Sequence, residues 1–129
     1  LRFVSEICRP REGPAFHWPG RACPAAFPPL VFRQSNREYE LLDWIHEAID
    51  DGSAIVINPA AFSFTSMAIL HALKMFPGPI VELHISNIHR REPISHKSLM
   101  SQAATAVIAG LGAQGYGVAV RAVPEMADR

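Results

Sequence analysis

The chain has 129 residues, about 49% of them apolar, which suits one domain able to bury roughly two thirds of its unfolded surface. Its 12 Lys and Arg balance its 12 Asp and Glu, so there is no electrostatic footprint for nucleic acid or an anionic membrane surface. No apolar stretch approaches the ~20 residues that span a bilayer, and Leu1 to Ile7 lacks the charged-then-apolar order of a signal peptide. Cys8 and Cys23 fit no metal or redox spacing, and a reducing, cytoplasmic setting is expected.

Residues 1–30 form an irregular segment, punctuated by Pro10, Pro14, Pro19, Pro24, Pro28 and Pro29. Each proline removes a backbone donor and disfavours helix just before it, so no regular first βα unit is expected. From residue 31 to 129 the pattern alternates strand and helix with short links, as in a parallel α/β sheet flanked by helices. Val31-Phe32-Arg33 is a short strand, and Ser35-Asn36-Arg37-Glu38 reads as a capping box. Leu41, Leu42, Ile45, Ala48 and Ile49 follow at helical spacing. Ala54 to Ile57 is a second strand closed by Asn58-Pro59, and Thr65 to Met75 is a helix stopped at Pro77-Gly78-Pro79. Ile80 to Ile85 is a third strand, followed by a polar loop from Ser86 to Lys97. A short helix over Ser98 to Ala104, a strand over Thr105 to Ala109 and a helix over Gln114 to Val123 complete the order.

Glu82 and His84 are the informative pair. They interrupt an otherwise apolar strand, and an unpaired carboxylate there costs several kcal/mol by the usual desolvation estimate. The side-chain period of two puts both on one face, where the carboxylate can orient the imidazole. Asn58, Ser86, Ser63, Thr65 and Ser66 gather at the same strand edge, where ligands enter such sheets, and together they predict a small-molecule site. Other motifs carry less. Gly110-Leu-Gly112-Ala-Gln-Gly115 has the spacing of a dinucleotide fingerprint, but that motif opens a βαβ unit with an acidic residue ~20 positions later on the next strand, and no further strand is read here, so a tight turn is expected instead. His84, His89 and His96 match no metal-ligand spacing. His89-Arg90-Arg91 with Lys97 is a basic cluster suited to a solvated loop or to capture of an anion.

The motifs Phe32-Arg33-Gln34-Ser35-Asn36, Asp43-Trp44-Ile45-His46-Glu47-Ala48, Ile57-Asn58-Pro59, Glu82-Leu83-His84-Ile85-Ser86-Asn87-Ile88-His89 and Gly110-Leu111-Gly112-Ala113-Gln114-Gly115-Tyr116 resemble type II 3-dehydroquinate dehydratase. The match runs from about Val31 to Val123. The resemblance implies a flavodoxin-like domain, a trimer-based dodecamer, no metal or cofactor, and trans elimination of water from 3-dehydroquinate in the shikimate pathway. It also implies roles: His84 as general acid, Glu82 as its orienting partner, Asn58 as a substrate contact, and Ile85 and Ser86 as the grip on the substrate carboxylate.

Other positions depart from the family. The Asn-Gly-Pro-Asn-Leu strand end and the loop carrying the family's catalytic Arg and Tyr are not recognisable in residues 1–30, and Tyr39 falls in a helix where the family has Gly. Phe64, His71 and Ser95 stand where the family has substrate-binding His, Asp and Arg. These losses imply impaired turnover, or an inactive homologue that serves as an oligomeric binding or assembly protein. The abrupt onset of family motifs near Val31, after a segment rich in Pro, Arg, Cys and Trp, is what a shifted reading frame would leave. Resequencing the coding DNA is expected to recover Asn-Gly-Pro-Asn-Leu in another frame, and its absence from every frame would reject that origin.

Overall fold

A computed structural model describes residues 3–8, 30–51 and 54–127. Five strands form one sheet: β1 (Phe3–Cys8), β2 (Leu30–Ser35), β3 (Ala54–Asn58), β4 (Ile80–His84) and β5 (Ala106–Ala109), in the order β2-β1-β3-β4-β5. β3, β4 and β5 are parallel, with Ile57 beside Glu82 and His84 beside Ala109. The helices α1 (Glu38–Asp51), α2 (Met67–Met75) and α3 (Gln114–Ala127) flank this sheet. The architecture is the expected flavodoxin-like α/β type.

The first unit differs from a regular βα repeat, as the prolines predict, yet it is not devoid of structure. β1 runs antiparallel to both neighbours, placing Val4 beside Asn58 and also beside Gln34. A parallel crossover therefore cannot join β1 to β2. The rest of the expected irregular segment, residues 9–29, lies outside the described residues.

β3 and β4 are buried along their whole length, which explains their apolar character outside Asn58, Glu82 and His84. On one face Ile55, Ile57 and Ile80 pack with Leu41, Ile45 and Ala48 of α1 and Ile69, Leu70 and Leu73 of α2. On the other, Ala54, Val56, Val81 and Leu83 pack with Tyr116, Ala119 and Val123 of α3. The predicted α1 stripe is thus the core stripe, with Leu42 and Ile49 at its margin. Arg33 ties β2 to α1, its guanidinium 2.6 Å from Glu47 and 5.5 Å from the Trp44 ring centre.

Three local readings are corrected. The capping box does not form between Ser35 and Glu38. β2 extends through Ser35, so α1 begins only at Glu38, and Ser35 accepts from Arg37 N at 3.0 Å while donating to Glu40. The helix predicted from Thr65 starts at Met67, because Ala60–Phe64 forms a separate 3₁₀ turn and Ser66 is the cap. The last helix runs past Pro124, since Met126 still packs on the core. The expected tight turn after β5 holds: Gly110 and Gly112 have φ of 88° and 59°, and their N–H groups donate to His84 O at 3.1 Å and Ile85 O at 2.9 Å. A side chain at Gly110 would meet Asn87 Cβ at 3.2 Å in a backbone region that favours glycine.

Two buried serines beside α2 should respond oppositely to alanine. Ser66 Oγ accepts from Ile69 N at 2.9 Å, whereas Ser63 Oγ has no hydrogen-bond partner among the described residues. Ser66→Ala is expected to lose about 1 kcal/mol in urea unfolding. Ser63→Ala should leave the midpoint unchanged or raise it, since no hydrogen bond is broken.

Candidate active site

Glu82 and His84 project from the sheet face covered by α1 and α2, as the pairing of Glu82 with Ile57 and the packing of Ile57 and Ile80 require. Glu82 is fully buried and His84 is 4% exposed, so each must find its partners inside the protein. His84 Nε2 lies 2.7 Å from Glu82 Oε1. Ser98 Oγ donates to the same oxygen, and Ser101 Oγ donates to Glu82 Oε2. Burial alone would push the Glu82 carboxyl up. The hydrogen bonds from His84, Ser101 and Ser98, together with the charge of His84, outweigh it and hold the group below its ordinary 4.5.

An ionised carboxylate only accepts hydrogen bonds. The proton on Nε2 is therefore committed to Glu82, and Nδ1 is the nitrogen left to exchange a proton with a ligand. Phe64, at the end of the 3₁₀ turn before α2, stacks near-parallel to the imidazole, with ring centres 6.2 Å apart and planes 15° apart. The imidazole is thus restrained at its edge by a charge and on its face by an apolar ring.

The other predicted residues divide by face. Asn58 is also buried, at the end of β3, but it points to the α3 side, where Nδ2 donates to Tyr116 OH at 3.1 Å. Its Oδ1 accepts from Ala60 N at 3.2 Å, within a turn that holds Ala60 at φ 47°. Asn58 and His84 therefore share a sheet edge but not a face. Ile85 and Ser86 are exposed just past β4, where Gly112 N holds the Ile85 carbonyl. Ser66 is occupied as a helix cap, and Thr65 Oγ1 donates back to Ala61 O at 3.4 Å. Among the departures, Phe64 stands at His84, His71 lies on the exposed side of α2, and Ser95 is buried in a 3₁₀ turn at Pro93–Ser95.

His89 and His96 pair with each other at 6.1 Å on the exposed loop, and His96 Nε2 lies 2.8 Å from Arg91 O. Among the described residues no three His, Cys, Asp or Glu side chains gather as a metal site. Ser98, Ser101 and Tyr116 were missed as site residues. The first two fell in a segment read only as a short helix, and no periodicity marks a hydroxyl that reaches a strand 16 or 19 residues earlier. A requirement that buried Glu82 have donors could have prompted a search for them.

A flavodoxin-like sheet with a carboxylate–imidazole pair at the carboxyl end of a central parallel strand defines an α/β protein with its site at the strand edge. The family model of Dehydroquinase class II matches residues 23–124, and the chain belongs to that family. It is 62% identical over 92 residues to 3-dehydroquinate dehydratase 2 of Agrobacterium fabrum, covering 71% of this chain and 63% of that protein. It is 58% identical over 97 residues to the 3-dehydroquinate dehydratase of Streptomyces coelicolor, covering 74% and 62%. The crystal structure of type II dehydroquinase from Propionibacterium acnes matches with a TM-score of 0.68 at 43% identity, covering 75% of this chain and 65% of that one. The chain thus spans less than two thirds of the length of these relatives.

Because Glu82 is held below 4.5, its contribution to stability is fully present above that pH and is lost as pH falls through the lower folded-state value. Glu82→Gln should lower neutral-pH stability by about 1–3 kcal/mol and flatten the acid-side decline. Urea midpoints measured on both sides of pH 4.5 check this, and an unchanged acid decline would show that other groups cause it.

Proposed function

We propose that the chain is a lyase acting on 3-dehydroquinate, with His84 as general acid. The observation that carries this is the buried Glu82–His84 pair at 2.7 Å in a member of the class II dehydroquinase family. In the elimination, a base removes a proton beside the ketone and the electron pair moves to the ketone oxygen as an enolate. Collapse of the enolate expels the hydroxyl, which takes the Nδ1 proton of the His84 imidazolium and leaves as water, giving 3-dehydroshikimate and a neutral ring that keeps its Nε2 proton on Glu82. Glu82 keeps its charge throughout and orients the ring.

The substrate carboxylate is gripped by the Ser86 hydroxyl and the Ile85 backbone, whose carbonyl is already anchored by Gly112 N. Asn58 contributes its second Nδ2–H, since the first is donated to Tyr116. The initial base is neither described tyrosine: Tyr39 is 58% exposed on α1, and Tyr116 is buried on the opposite sheet face from His84. Phe64, stacked on His84, makes the crevice more apolar than the family pattern. The chain works without metal or cofactor, in the cytoplasm, as a trimer-based homododecamer. Family membership supports this setting, and among the described residues no helix is long and apolar enough to cross a membrane.

Incubation with 3-dehydroquinate should produce the ultraviolet absorbance of the conjugated enone, and His84→Ala should reduce the rate by about 10²- to 10⁴-fold. No product from folded, oligomeric protein would instead favour a binding or assembly role.

A further inference from the structure

The loop after β4 supplies two hydroxyls that no family motif in the sequence singles out, and both end on Glu82. Ser98 lies just before the 3₁₀ turn Met100–Gln102 and Ser101 lies within it. Ser98 Oγ accepts from Met100 N at 3.1 Å, so its single proton is left to donate. The available acceptors are Ser63 O at 3.3 Å and Glu82 Oε1, which is closer and charged. A hydroxyl gives its proton to the ionised acceptor, where the hydrogen bond is about twice as strong. Ser101 Oγ reaches Oε2, and His84 Nε2 shares Oε1 with Ser98. Glu82 thus receives three donors, all of which an ionised carboxylate accepts. The loop is itself pinned, with Leu99 N donating to Ser63 O at 2.7 Å. Ser63 belongs to the same 3₁₀ turn as Phe64, which stacks on His84.

We propose that Ser98 and Ser101 are positioning residues of the site, forming a two-hydroxyl clamp that holds Glu82 ionised and thereby commits His84 Nε2–H to it. This rests on the dehydratase reading for its catalytic consequence, though not for its effect on the two side chains. Without the clamp, Glu82 keeps one donor in a fully buried position, its proton affinity rises, and the imidazole loses its single tautomer. Among the described residues, His84 is the titratable group whose charge acts on Glu82. Ser101 is largely exposed although its hydroxyl turns inward, so a merely structural surface serine there would tolerate alanine without effect.

The test uses Ser98→Ala, Ser101→Ala, the double variant and Ser101→Thr, which keeps the hydroxyl. Carbon-13 NMR of the Glu82 carboxyl and nitrogen-15 NMR of the His84 ring read the clamp without any turnover. In the parent protein Glu82 should titrate below 4.5 and His84 should carry its neutral-state proton on Nε2. In the double variant the carboxyl should titrate higher and the ring should become a tautomer mixture. Ser101→Thr should behave as the parent. In the turnover assay each alanine should lower kcat roughly tenfold, the loss expected for one hydrogen bond to a charged group, with KM little changed. A Glu82 titration and His84 tautomer unmoved in the folded double variant would overturn the clamp, as would unchanged kcat in a parent that turns over. Inactivity of the parent would sink the dehydratase reading alone, because the NMR arms would still decide the clamp.

Discussion

The burial of one carboxylate organises this structure. Glu82 sits with no solvent exposure in the middle of β4, where an ion without partners would cost several kcal/mol. The protein meets that cost with donors from two places in the chain: the imidazole two residues on, and hydroxyls from the turn that leads into β5. The same turn is tied to the segment ahead of α2 through Leu99 and Ser63. Satisfying Glu82 therefore brings together the end of β4, the loop after it and the entrance to α2, and these are the pieces that surround His84.

The sheet decides which side chains can share the site. Parallel strands covered on both faces alternate their residues between two cores, so Glu82 and His84 face α1 and α2 while Asn58 faces α3. Groups from opposite faces meet only past the strand ends. The glycine turn reinforces this edge: its positive-φ residues bring two N–H groups back to the carbonyls of His84 and Ile85. The Ser86 edge is consequently held from β5 as well as by β4 itself.

Much of this arrangement is legible in the residues. The period of α1, the apolar runs of β3 and β4 and the Gly/Pro punctuation predicted the corresponding elements to within a few residues, because each reports local geometry and burial together. The errors occur where tertiary contacts override local preference. The Ser35-to-Glu38 spacing predicts a helix cap, but strand pairing extends β2 through Ser35. The helical pattern ends at Val123, but core packing carries α3 through Pro124 to Ala127. Phe3–Cys8 has no strong period, and its strand is a matter of pairing with β2 and β3.

The alternating α/β order, the burial of β3 and β4, the one-faced Glu82–His84 pair and the family are all readable from the residues, because these depend on spacing along the chain. The direction of β1, the separation of Asn58 from His84 onto opposite faces, the Phe64 stack and the serine donors to Glu82 emerge with the folded chain. Those features join residues distant in sequence or depend on strand register. They become fixed only when the sheet is assembled and the buried charge of Glu82 has to be satisfied.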